Sequence, residues 1–316
     1  MTAEPSLDAP PVYRRFLAGG TESLWPGRLA LVVLLLVGAA LLGAAWWFFL
    51  PKNDDTRLVF LSNAVGALVC SGVLAIFASR WLGRRLGVLS GFVWLGSVGV
   101  LRGHVDTWLA VLFCLALGLF ATAQVPGRLA TIFNSAIAWA FYTVISVSFL
   151  LFGVEVSLLI LAICIVFVLS VQDTRSTRFF VNPIGLGILI LTVVGRGFVG
   201  QHLPDGYLAA PLLADWAFHA DPTRRWVTIV VDFLPWLPLA LVAVAVGIRQ
   251  GHYGTPFWRF LSCWVLVSVG LTAFGMTTAE VVLAAVMPPT CILAAAGLAQ
   301  TIIHTRRFQW GWPSRL

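Results

Sequence analysis

Ionisable side chains make up only 10% of this 316-residue chain, against 59% apolar residues, so each one placed beside an apolar run needs a reason. The densest group is Arg102-Gly103-His104-Val105-Asp106-Thr107-Trp108, which sets a cation, an imidazole and a carboxylate within five residues. Such a turn can bind a phosphate or a metal, or move protons. Its plain alternative is a solvated turn in which Asp106 caps the next helix. Asp232 follows a run of apolar residues in Val231-Asp232-Phe233-Leu234-Pro235-Trp236-Leu237-Pro238. A carboxylate at that depth is costly unless paired or hydrated, so it reads as a cavity-lining group, as one snorkelling to the interface, or as a partner of Arg224 or Arg225. Arg196, near the end of another apolar run, is with Arg102 the best-placed cation to meet a phosphate.

Other patterns are weaker. Gly195-Arg196-Gly197-Phe198-Val199-Gly200 matches GxGxxG, but no strand precedes it, so dinucleotide binding lacks its structural context. His202, Asp205, Asp215, His219 and Asp221 share the stretch 200–225, where Asp215 and His219 would lie on one helical face; two ligands alone do not make a metal site. Cys70, Cys114, Cys164, Cys263 and Cys291 lie inside apolar runs without CxxC spacing, so they read as buried small side chains rather than zinc ligands or a disulfide framework.

The elements that must position these groups are membrane helices. A mean hydropathy of +0.94, with 14 Trp and 22 Phe, excludes a water-soluble enzyme. Apolar runs long enough to span, or nearly so, fall at about 29–50, 58–79, 86–101, 107–123, 129–149, 156–171, 180–199, 226–248, 257–275 and 281–303. The expected fold is therefore an all-α integral membrane protein of about ten transmembrane helices with no large soluble domain. Residues 1–27 read as a mobile polar tail, 28–304 as the membrane domain and 305–316 as a short basic tail.

Alternating sides place Arg14, Arg15, Arg28, Arg80, Arg84, Arg85, Arg128, Arg175, Arg178, Arg249, Arg259, Arg306, Arg307 and Arg315 together. Only Lys52, Arg57, Arg102, Arg196, Arg224 and Arg225 fall opposite. This 14-to-6 bias puts both termini in the cytoplasm and explains the +7 net charge by topology rather than by nucleic-acid binding. Most acids fall on the other side, which makes the outer face the place to expect a site. A bacterial-type inner membrane is the expected location.

Three ordered stretches carry a resemblance. Arg57-Leu58 is followed by Leu82-Gly83-Arg84-Arg85-Leu86-Gly87 and then by Leu101-Arg102 and Asp106; Phe233-Leu234-Pro235-Trp236 and Met287-Pro288-Pro289 come later. Together they resemble the membrane half of the polyprenyl-phosphate-sugar glycosyltransferases of the GT-C class, in the protein O-mannosyltransferase and lipid A aminoarabinose transferase branch. The similarity covers most of 57–299. It implies a hydrophobic groove for a polyprenyl phosphate, inverting sugar transfer on the external face, and a divalent metal if the chain is catalytic. Asp106 matches the acidic turn and takes the catalytic role by resemblance, with Arg102, His104, Arg196 and Asp232 as substrate-binding candidates.

Two stretches depart from the pattern. The first external loop is only Pro51-Lys52-Asn53-Asp54-Asp55-Thr56-Arg57, and Met276-Thr277-Thr278-Ala279-Glu280 stands where the family carries a basic segment. They motivate an alternative expectation, a non-catalytic structural or assembly subunit on the same scaffold with a membrane protein partner. Trp46, Trp47, Trp108, Trp216, Trp226, Trp310 and Trp312 suit either a partner contact or ordinary interfacial anchoring.

Overall fold

The computed structural model describes residues 32, 34, 36–40, 54–102, 105–123, 130–171, 179–202, 230–233, 236–249, 255–273 and 279–311, and no strand occurs among them. Helices are the elements expected of segments that cross hydrocarbon, because only there does each backbone N–H find an acceptor within its own segment. In chain order they are α1 (Asp54–Leu82), α2 (Arg84–Leu95), α3 (Val98–Leu101), α4 (Thr107–Ala123), α5 (Ala130–Phe152), α6 (Val154–Val171), α7 (Pro183–His202), α8 (Leu237–Arg249), α9 (Pro256–Ala273) and α10 (Ala279–Gly311). Positions 36–40 and 230–233 are also helical. The rest of the expected first run and most of the 200–225 stretch, with Asp205, Asp215, His219 and Asp221, lie outside the described residues.

Four described segments are long and apolar enough to cross a membrane: Leu61–Leu82, Ser135–Phe152, Val154–Val171 and Glu280–Ile302. Shorter apolar helices cover Thr107–Ala123, Pro183–Gly197, Leu237–Arg249 and Pro256–Leu271. Leu191, Leu169 and Leu151 are 73%, 69% and 68% exposed, and Ile184, Ile190 and Val194 on α7 are exposed as well. A patch of this kind is untenable in water and ordinary in lipid. The molecule is a multi-pass, all-α membrane protein.

Two reversals are made by single residues. Gly83 at φ +86° separates α1 from α2, and Gly153 at φ +88° separates α5 from α6. Side chains rarely tolerate that backbone region, and glycine enters it freely. The gap expected between the runs 129–149 and 156–171 is thus localised to Gly153.

Two expected helices are interrupted instead. The run 86–101 divides at Gly96 and Ser97, with Ser97 extended at φ −75° and ψ 136°, leaving α3 as a four-residue turn. The run 226–248 is broken by a turn at Trp236, between Pro235 and Pro238, which lack the N–H that a continuous helix needs.

α10 is the interior helix: 89% of its apolar window is buried, against 39% for α6. It packs on α8, α2, α9 and α4, while α1 packs on α2 and α4, and α7 packs on α5. Away from α10, Phe120 on α4 is fully buried among Phe141, Phe167, Phe179, Phe180 and Phe260, at centroid distances of 5.6–6.0 Å. These rings join α4, α5, α6 and α9 to the segment before α7.

Candidate functional site

The 102–106 turn is held by its neighbours on both sides. Thr107 Oγ1 donates to the Asn63 carbonyl at 2.8 Å, and Trp108 Nε1 donates to Ser62 Oγ at 3.0 Å, which pins the start of α4 to α1. Gly66 makes that contact close, since a Cβ there would stand 2.4 Å from Thr107 Oγ1. On the other side α3 ends at Arg102, whose N–H donates to the Val98 carbonyl at 2.9 Å.

Asp106 is half-buried, and its Oδ1 accepts the Leu109 N–H at 3.0 Å. The carboxylate therefore caps α4, satisfying one of the donors that a helix start leaves unpaired. Arg102 is exposed, as a group meeting a headgroup phosphate needs to be. His104 lies outside the described residues.

Asp232 is only 1% exposed, and it sits against this same turn. A Cβ built on Gly99 would stand 3.0 Å from the Asp232 Cβ, 3.1 Å from Met287 Cε and 3.1 Å from Val105 Cγ2. The missing side chain at Gly99 thus lets three separated parts of the sequence meet: the α3 turn, the segment before α8 and the interior helix at Pro288-Pro289. Asp232 is not left without an interaction, and a carboxylate buried to this degree is costly unless it is paired or hydrated. Ser97 Oγ bonds the Val93 carbonyl at 2.8 Å and lies 3.8 Å from Cys291 Sγ, a second tie between the α2–α3 break and α10. The ring of Trp236 closes over Gly96, where a Cβ would meet it at 3.2 Å.

Arg102, Asp106 and Asp232 are therefore gathered around α3. Arg196 is engaged elsewhere. It is buried, its guanidinium donates to the Phe149 carbonyl, and its charge lies 4.8 Å from the centre of the Phe149 ring. Phe149 is in the last turn of α5, where carbonyls point out of the helix and a cation is favoured. Gly99 is not singled out by the sequence; its one signal is a glycine set between two β-branched residues, Val98 and Val100.

Among the described residues no three His, Cys, Asp or Glu side chains are grouped to hold a metal ion. The metal implied by the resemblance has no seat among them. What the gathered groups offer is a half-buried carboxylate for proton transfer and an exposed guanidinium for a phosphate.

The architecture is that of a multi-pass membrane protein with a GT-C-like fold. Two crystal structures of ArnT from Cupriavidus metallidurans, a GT-C glycosyltransferase, share it. The apo form superposes with a TM-score of 0.62 and 17% identity, covering 86% of this chain and 49% of ArnT. The form bound to undecaprenyl phosphate gives 0.63 and 18%, covering 85% and 49%. This chain thus spans about half the length of ArnT. No protein-family model matches the chain, and no curated protein matches its sequence.

Proposed function

We propose that the chain handles a polyprenyl-phosphate sugar at the end of the bundle that carries α3 and the 102–106 turn. The observation carrying this reading is the fold shared with a protein that has been solved with undecaprenyl phosphate. In the reaction, an acceptor oxygen bonds to the sugar's anomeric carbon as the carbon–phosphate oxygen bond breaks. Asp106 receives the acceptor proton, and Arg102 balances the charge left on the polyprenyl phosphate. The apolar surfaces between helices take the polyprenyl chain.

The test uses membranes containing the full chain and a labelled polyprenyl-phosphate sugar. Asp106→Asn is expected to lower turnover at least tenfold, a threshold set below the roughly hundredfold that general base catalysis contributes at its low end, with lipid binding retained. Arg102→Gln is expected to weaken lipid binding by roughly tenfold, the value of one charge-assisted hydrogen bond. Turnover unaltered by Asp106→Asn removes Asp106 from the reaction.

A second reading, a non-catalytic assembly subunit, is favoured by the seven-residue stretch Pro51–Arg57 and by the capping role of Asp106. It predicts a co-purifying membrane chain after gentle extraction. A 34.3 kDa species in detergent with no partner argues against it.

A further inference from the structure

The most strongly charged described surface lies at the opposite end of α1 from the Thr107–Asn63 contact. Arg80 in the last turn of α1 is exposed, as are Arg84 and Arg85 at the start of α2. Arg80 also donates to Thr122 Oγ1 at 3.0 Å, near the end of α4. Trp81 stacks on Phe257 at 5.2 Å, which brings the first turn of α9, with exposed Arg259, to the same corner.

The acids of α1, Asp54 and Asp55, lie at its far end. The stretches 58–105, 107–154 and 233–279, which build the corner, contain no Asp or Glu. The two arginines also stand where helical electrostatics disfavours them. They are the first two residues of α2, whose cap is Gly83 with no side-chain hydrogen bond and whose first turn has no acid. A helix start is already the positive end of the dipole and presents unpaired N–H groups. Cations added there repel it, unless an anion sits between them. Trp81 is partly buried, and its indole N–H has no acceptor.

We propose that this corner binds the phosphate of an anionic phospholipid in the adjacent leaflet. Its chemistry fits that occupant: guanidinium forks pair bidentately with phosphate oxygens, and Trp81 and Trp258 lie where interfacial aromatics meet headgroups. Its position, among helix ends in an otherwise greasy bundle, gives a lipid direct access. The site is separate from the 102–106 turn and independent of the function proposed for it.

The full chain is reconstituted in nanodiscs of equal parts phosphatidylglycerol and phosphatidylcholine, and the lipids retained after gentle release are counted by native mass spectrometry. The natural sequence is expected to retain phosphatidylglycerol in excess. Arg84→Gln/Arg85→Gln is expected to cut that excess by about tenfold or more, the value of losing even one charge-assisted hydrogen bond to phosphate. Arg249→Gln, which removes one charge outside the corner, is expected to leave it unchanged. Three results overturn the proposal: no excess with the natural sequence, an excess untouched by the double substitution, or an equal loss with Arg249→Gln. Millimolar inorganic phosphate serves as a competitor with the natural sequence. Displacement of the retained lipid would assign the corner to the free anion instead.

Discussion

Asp106 caps α4 and, in the reaction proposed above, also receives a proton, and a single substitution can separate the two roles. As a cap it needs only a side-chain oxygen facing the Leu109 N–H; as a proton acceptor it needs a carboxylate. Asparagine caps about as well as aspartate, whereas alanine forfeits about 1 kcal/mol. Asp106→Asn is expected to melt with the natural protein in a thermal scan in detergent, and Asp106→Ala to melt about 2 °C lower. Reduced turnover in both, with reduced stability only in the second, assigns chemistry to the charge. At this scale the sequence was half legible. Arg102 and Asp106 are local to one turn, so their proximity follows from chain connectivity. Asp232 joins them through Gly99, over a separation that spacing does not encode. Arg196 was legible only as a cation near a helix end; that Phe149 would occupy it depends on how α7 packs against α5.

The helices themselves were the easiest features to read, because hydrocarbon requires long apolar stretches and permits little else. Of their interruptions, the one at Trp236 is flanked by prolines, but Gly96-Ser97 carries none and the apolar pattern runs on through it. Yet that break creates α3 and aims the turn holding Arg102 and Asp106. The one-residue reversals can be tested by contrast between two glycines of neighbouring sequence. Gly83 has φ +86° and ψ 160°, a region that is nearly glycine-only, and occupying it with a side chain costs on the order of 1–3 kcal/mol. Gly72 lies inside α1, and a Cβ there would meet nothing within 4 Å. Alanine at Gly72 removes unfolded-state freedom and gains roughly 0.5–1 kcal/mol. Gly83→Ala is therefore expected to lower the melting temperature and Gly72→Ala to raise it. If both shift it the same way, the reversal at Gly83 is not what the backbone angle implies.

Across the whole molecule, two environments must be told apart: a packed interior built around α10 and Phe120, and an apolar exterior matched to lipid. Removing the Phe120 ring opens space among five other phenylalanines, so Phe120→Ala is expected to cost about 3–5 kcal/mol, read as loss of folded material after extraction. The exterior allows a more discriminating experiment, because water and lipid predict opposite signs. Leu191 is 73% exposed, near the middle of α7. If water faced it, Leu191→Asp would be neutral or would improve solubility, since surface substitutions usually change stability by no more than about 0.5 kcal/mol. If hydrocarbon faces it, a carboxylate near mid-bilayer costs about 2.5–3.5 kcal/mol on insertion. Leu191→Ala removes apolar area in water but only exchanges one apolar surface for another in lipid, so it serves as the control. Measured as the fraction of chain recovered folded in membranes, Leu191→Ala is expected to match the natural sequence and Leu191→Asp to fall well below it. Equal recovery of all three would show that α7 does not present this face to the bilayer.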